Sequence, residues 1–196
     1  MPHEKFDIAK LEQLNDPSRF EYLPPELMWS ALGNPQPRTI VDIGAGTGLF
    51  ACGFAGLAPD SIVYAVDIEP AAVRWMHENK PAAGCPQLRP LLGSEHAVPL
   101  ATGEADLVVM LNLHHELVDP VASYREALRL TQIDGQLLVA DWMPSDETDG
   151  PPQHVRVSAE QIAEVVKSVG FEDVVIHAGL ARHSLVTARK PIVCGL

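Results

Sequence analysis

The sequence predicts an α/β fold, a mostly parallel sheet with helices on both faces, and three observations carry that prediction. Short apolar, β-branched runs alternate with helical patterns along the 196 residues, the order that builds parallel sheets. The runs are apolar along their length, as strands buried on both faces are. The first run leads directly into Gly44, Gly46 and Gly48, a strand-to-helix turn in which the backbone bends tightly and a ligand can approach closely.

Composition bounds the rest. Hydrophobic residues make up 46% and aromatic residues only 6%, so the core is aliphatic, and a chain of this length buries enough surface to fold without staples. One domain with a short extension suits the length: residues 1–36 as an N-terminal helical arm or lid, and 37–196 as the main domain. The formal net charge of −12 repels phosphate backbones and anionic lipid headgroups. Nucleic acid and membrane are therefore poor partners, and a small neutral or cationic molecule is the better one. The three cysteines, Cys52, Cys85 and Cys194, are widely spaced and form no CxxC, which supports neither a disulfide framework nor a zinc knuckle. The charged N-terminus carries no apolar run of signal-peptide length, and no stretch approaches the ~18 apolar residues of a membrane span. The expected location is the cytoplasm, and a homodimer is compatible with all of this.

Taken in order, the arm contains Ile8, Leu11 and Leu14 on one helical face, then two helix starts at Asp16-Pro17 and Pro24-Pro25. Residues 39–43 read as the first strand and 49–57 as a helix. A second strand over 61–66 ends on Asp67. Pro70 opens a helix that stops before Pro81, and 87–92 reads as a short third strand. Residues 105–111 form a fourth strand. Asp119-Pro120 caps and opens a helix through Leu128. Asp134-Gly135 reads as a turn before a fifth strand over 136–141. Ser158 and Gln161 make a capping box ahead of Ile162, Val165, Val166 and Val169, with Gly170 as the stop. Residues 171–177 and 180–189 close the chain as two antiparallel strands. In open sheets of this kind ligands bind at the carboxyl ends of the strands, which singles out residues 42–48, Asp67, Ser94, Glu95, 112–116, Asp141 and Trp142.

The strongest motif is Val41-Asp42-Ile43-Gly44-Ala45-Gly46-Thr47-Gly48. A dinucleotide site wants GxGxxG with pyrophosphate on the helix N-terminus. Here the third glycine position is Leu49, and Asp42 would suit a cationic amine or a water better than a pyrophosphate. The stretch resembles motif I of the class I methyltransferases, which bind S-adenosylmethionine. The resemblance continues through Tyr64-Ala65-Val66-Asp67-Ile68, whose acid would accept from both ribose hydroxyls. Gly93-Ser94-Glu95-His96-Ala97-Val98-Pro99-Leu100 is similar to the third-strand region of the methyltransferase type 11, ubiquinone/menaquinone C-methyltransferase-like group. There Ser94 stands where that group has an aspartate, and the adenine-amine role passes to Glu95 next door. Residues 105–117, ending Leu113-His114-His115-Glu116-Leu117, look like the fourth-strand motif and its tail.

The resemblance covers about residues 38–190. It implies a Rossmann-like seven-stranded sheet of order 3-2-1-4-5-7-6 with the last strand antiparallel, and S-adenosylmethionine as cofactor. It places Asp42, Gly44, Ala45, Gly46 and Gly48 around the methionine part. It places Asp67 and Ile68 at the ribose end, Ser94 and Glu95 at the adenine, and Asn112 beside the sulfonium.

Methyl transfer is an in-line displacement in which the protein mainly positions and desolvates the acceptor. A base is needed only where the acceptor must lose a proton. His115 is the first candidate, since histidine titrates near neutrality, with Asp141 and His154 as partners. The His114-His115 pair also fits a structural role. The same residue types match no standard metal signature, and no metal is expected. The long connection over 143–157, rich in proline, is of the kind that forms lids and binding loops. With the arm it could bring Phe6, Tyr22, Trp142 and His154 around a small-molecule acceptor. Two rivals remain: a regulatory protein that binds the cofactor without turnover, and an NAD-dependent oxidoreductase, against which Leu49 argues.

Overall fold

The computed structural model describes residues 12–80, 84–145 and 148–192. Phe6, Ile8 and Leu11 of the arm, and Cys194, lie outside the described residues. The strands are β1 (Thr39–Ile43), β2 (Ile62–Asp67), β3 (Leu88–Leu92), β4 (Ala105–Leu111), β5 (Thr131–Trp142), β6 (Glu172–His177) and β7 (His183–Arg189). They form one seven-stranded sheet of order β3-β2-β1-β4-β5-β7-β6. The first five strands run parallel, and β7 lies antiparallel to both β5 and β6. The chain order reverses between β1 and β4, so the carboxyl ends of those strands flank the crevice where such sheets take ligands.

The α-helices are α1 (Pro25–Ala31), α2 (Leu49–Leu57), α3 (Pro70–Asn79), α4 (Pro120–Leu130) and α5 (Ala159–Ser168). Proline sits at the start of α1, α3 and α4, where its missing N–H costs no hydrogen bond and its fixed φ suits the first turn. Asp119 caps α4 by accepting from Ala122 N–H at 3.0 Å. The sheet separates two cores. Ile40, Leu107, Val109 and Leu138 face α1, α2 and Met76 of α3. Val41, Val108, Leu137 and Val139 face Tyr124, Ala127 and Leu130 of α4 and Ile162 and Val166 of α5. This two-sided burial is why the strands are apolar throughout. Truncating Leu138, fully buried in mid-sheet, to alanine would cost about 2–5 kcal/mol.

Two strand starts differ from the sequence reading by more than one residue. Asp134-Gly135 does not separate α4 from β5; the strand starts at Thr131 and runs through it. Asp134 takes φ +61, and the pairing with β4 jumps from Ala105↔Thr131 to Leu107↔Gln136. The left-handed residue therefore makes an irregularity inside the strand rather than a turn before it. The last strand starts at His183 instead of residue 180, where antiparallel pairing with Trp142 begins.

Candidate active site

At the carboxyl ends of β1, β2 and β4 lies a cavity of about 420 Å³. Its floor is the glycine turn. Gly44, Gly46 and Gly48 have φ of +74°, +56° and +69°, the left-handed region that glycine enters without strain. A side chain at Gly44 would also meet Leu113 Cδ1 at 2.7 Å. The amides of this turn are already committed. Gly44 and Ala45 N–H donate to the Val66 carbonyl at 2.8 and 3.0 Å, and Gly48 N–H to the Ala45 carbonyl at 2.8 Å. Gly46 N–H donates to Asp67 Oδ2 at 2.7 Å. Four amides of the turn are thus used internally, while Leu49 in place of the third glycine is what argues against a dinucleotide.

Two carboxylates lie above this floor. Asp67, at the end of β2, accepts from Gly46 N–H and, at 2.9 Å, from Glu69 N–H. Burial raises its pKa, and those two amides oppose the rise. Asp42 is buried on β1 and lines the same cavity. Burial, and then the charge of Asp67, push its carboxyl up to about 8, with Arg19 opposing. A carboxylate held this way favours a cationic ligand group that restores its charged form. Asn112 follows β4 with φ +53. Its N–H continues the ladder to the Ala140 carbonyl at 2.8 Å, while its buried side-chain Oδ1 has no hydrogen-bond partner. Ile68, Ser94 and Glu95 line the outer part of the cavity, with Ile68 61% exposed. Gly48 stands behind the turn, where an added Cβ would meet Met76 Sδ at 3.0 Å.

The two adjacent histidines do different work. His114 is buried, and its Nδ1 lies 2.8 Å from the Tyr124 hydroxyl. Burial lowers its pKa, so it is a neutral core residue. His115 turns to the end of β5, where its Nδ1 lies 2.7 Å from Asp141 Oδ1. A carboxylate only accepts, so Nδ1 carries the proton and Nε2 presents its lone pair. Asp141 is 0% exposed and is fixed further by N–H groups of Trp142 at 2.7 Å and His115 at 3.3 Å. Burial alone would lower the His115 pKa; the hydrogen bond and charge of Asp141, with Glu116, outweigh it and raise it. Glu116, whose Oε1 is 3.8 Å from His115 Nε2, lines the cavity.

His154 is not part of this group. It is exposed on a one-turn 3-10 helix (Gln153–Val155) and does not line the cavity; His115 and Asp141 do not line it either, whereas Glu116 beside them does. Among the described residues, no three His, Cys, Asp or Glu side chains are grouped to hold a metal ion, and no helix is long and apolar enough to cross a membrane. Two contributors went unread in the sequence. Arg19, from the 3-10 turn Pro17–Glu21, lines the cavity and anchors to the Leu14 carbonyl at 2.8 Å. His183, at the start of β7, is buried between Tyr22 and Trp142. Neither sits in a motif; only the folded arm and the β5–β7 pairing bring them here.

Comparison with known proteins agrees with this geometry. Residues 41–139 match a family model described as a methyltransferase domain, methyltransferase type 11. The chain belongs to this methyltransferase family. A crystal structure of a SAM-dependent methyltransferase from Aquifex aeolicus is similar at 26% identity and a TM-score of 0.86, covering 94% of this chain and 99% of that one. A structure described as a putative S-adenosyl-L-methionine-dependent methyltransferase from Methanococcus maripaludis shares the fold at 17% identity and a TM-score of 0.76, covering 98% and 97%. Human N-acetylserotonin methyltransferase, solved in complex with SAM, shares it at 17% identity and 0.76, covering 98% of this chain and 61% of that one. No curated protein matches by sequence. The cofactor of this class I methyltransferase is S-adenosylmethionine, and the site fits it. Asp42 offers a buried acid for an ammonium, and Asn112 an unmatched buried acceptor.

Proposed function

We propose that this methyltransferase acts on a small-molecule acceptor and that His115, oriented by Asp141, takes the acceptor's proton. The 2.7 Å contact between His115 Nδ1 and buried Asp141 carries the reading. It leaves Nε2 as a base beside Glu116 of the cavity wall and stabilises the imidazolium that forms when a proton arrives.

On this reading Asp42 holds the ammonium of the cofactor's methionine part, packed over Gly44, Ala45, Gly46 and Gly48. Asp67 accepts from the ribose hydroxyls, Ile68 covers the base, and Ser94 and Glu95 meet the adenine edge. Asn112 lies beside the sulfonium. S-adenosylmethionine supplies a methyl group already attached to a good leaving sulfur. The chain's own task is therefore to bind, to exclude water and to receive a proton. The arm, residues 1–36, acts as a cover over residues 37–196; Leu14 and Arg19 already form part of the cavity wall. His154 stays in the reading only as a residue of the 143–157 loop that comes near when the loop closes on an acceptor. The acidic chain works in the cytoplasm, away from nucleic acid and membrane.

Calorimetric titration with S-adenosylhomocysteine tests the cofactor half. Asp67→Ala should weaken binding roughly ten-fold or more; unchanged affinity removes Asp67 from the site. Incubation with methyl-labelled cofactor and a panel of small hydroxylated acceptors tests the other half. Label transfer that disappears in His115→Ala supports the base. Tight cofactor binding without transfer to any acceptor favours a regulatory protein instead.

A further inference from the structure

Beyond the cavity wall, Tyr22, His183 and Trp142 form an aromatic cluster that the cofactor reading does not use. His183 opens β7 and pairs directly with Trp142, the last residue of β5, so both side chains stand on one face of the sheet. The Tyr22 ring, from the arm, lies parallel to the His183 ring, with centroids 5.8 Å apart and planes within 4°. Trp142 packs 4.4 Å from His183 and 5.9 Å from Tyr22. His183 is 3% exposed, and neither of its ring nitrogens has a hydrogen-bond partner.

Packing explains a ring at this position but not an imidazole. Phenylalanine would stack as well and carry no unmet polar group, whereas a neutral imidazole always has one N–H and one lone pair to satisfy. Leaving such groups buried and unpaired is costly. The position also has chemical neighbours. Asp141 precedes Trp142 and holds His115. Asp141, Arg19 of the cavity wall, His115 and Arg182 all act electrostatically on the His183 ring. Burial, the largest influence, pushes His183 down to about 4, so at neutral pH it is an uncharged donor and acceptor.

We infer that His183 recognises the acceptor, hydrogen-bonding the hydroxyl of a flat, uncharged aromatic ring that enters between the arm and the end of β5. The inference rests on the methyl-transfer reading and deepens it by naming an acceptor class. A neutral imidazole can donate to or accept from a neutral hydroxyl, but it offers no charge to a carboxylate or an ammonium. Tyr22 already stacks on the His183 ring and Trp142 packs beside it, so a flat ring suits the place that the Tyr22 ring now holds. Tyr22 is itself a phenol stacked on His183, and the acceptor ring takes the place of the Tyr22 ring.

The test uses protein with ¹⁵N-labelled histidine, loaded with S-adenosylhomocysteine, and phenol as the probe, with cyclohexanol and benzoate as comparisons. The His183 ring signals are assigned in wild-type protein through their proximity to the Tyr22 and Trp142 rings. Phenol should shift a His183 ring nitrogen and bind at least ten-fold more tightly than cyclohexanol or benzoate. His183→Phe, which keeps the stack, should weaken phenol at least ten-fold and leave S-adenosylhomocysteine affinity unchanged. Equal phenol binding by wild type and His183→Phe overturns the inference. So does an unmoved ring nitrogen, which would mean that His183 holds a trapped water only. The ring-nitrogen signal is read in wild-type protein, so the test survives a variant that fails to fold. Titrating S-adenosylhomocysteine alone before phenol is added separates the two readings. Failure of S-adenosylhomocysteine to bind counts against methyl transfer, whereas an unmoved His183 beside a shifted His115 counts against this inference alone.

Discussion

Asp141 Oδ1 lies 2.7 Å from His115 Nδ1, and the carboxylate that makes this contact is entirely buried. Its other ties run to backbone N–H groups of Trp142 and His115, so it cannot turn away. An amide in its place keeps its oxygen toward Trp142 N–H and Nδ1–H but lacks the negative charge that stabilises the imidazolium, so Nε2 becomes a weaker base. Asp141→Asn should therefore lower turnover by about 100-fold or more, with little change in KM for the acceptor. Steady-state kinetics check this, and a change confined to KM would contradict it.

The same pair sets a pH dependence. The pKa of His115 is raised above its ordinary 6.5, and the base is the neutral form. Activity should climb as pH rises through that raised value. Asp141→Asn removes the charge that opposes burial, so its midpoint should fall. Histidine NMR titration of both proteins reads the shift directly.

Asp42 gives a stability signal of its own. Its folded-state carboxyl is raised to about 8 from 3.8, so its contribution is fully present at low pH and is lost as pH climbs from about 4 to about 8. Asp42→Asn abolishes that loss. In the absence of cofactor the variant should gain Tm relative to wild type as pH increases over this range, while binding S-adenosylmethionine more weakly. Melting curves at pH 4 and pH 8 check the first part. A constant Tm difference would remove Asp42 as the titrating group.

Gly44 joins conformation to space. Its φ of +74° costs a residue with a Cβ about 1–2 kcal/mol, and that Cβ would press on the end of the flexible Leu113 side chain at 2.7 Å. Leu113 can shift, but it too lines the cavity. Gly44→Ala should fold with Tm lowered by a few degrees and lose cofactor affinity more than stability. Calorimetry beside a melting curve separates the two effects.

How much of this could be read from the sequence follows the range of the forces involved. Strands such as Thr39–Ile43 and helices opened by Pro25, Pro70 and Pro120 are set by local composition and were legible within a residue or two. That Asp42, Gly44, Gly46 and Asp67 line one cavity was legible for the same reason, since they lie at or beside the ends of β1 and β2 in sequence. The partners of the two histidines were not. Nothing local distinguishes His115 from His114; Asp141 takes one and Tyr124 the other only after β4, β5 and α4 assemble. His183 gains its neighbours from the antiparallel pairing of β5 with β7, and Arg19 reaches the cavity only through the folded arm. Asp134 misled for a related reason: an Asp-Gly pair signals a turn, yet here the left-handed residue sits inside β5.

Ser158 provides a stability change remote from the chemistry. Its hydroxyl accepts from Gln161 N–H at 3.3 Å, and Gln161 Oε1 accepts from Ser158 N–H at 3.0 Å. Together they satisfy two amides at the start of α5, which no other element of that helix can reach. The helix buries Ile162 and Val166 in the core on the α4 side of the sheet, opposite the face that α2 covers. Ser158→Ala should cost about 1 kcal/mol, a Tm decrease of roughly 2–4 °C for a domain of this size. Ser158→Thr should recover most of it. S-adenosylhomocysteine affinity should stay unchanged in both, because α5 contributes no residue to the cavity wall. A fall in affinity with Ser158→Ala would mean that packing under β5 controls the site, and the effect of Asp141→Asn would then have to be re-read as structural.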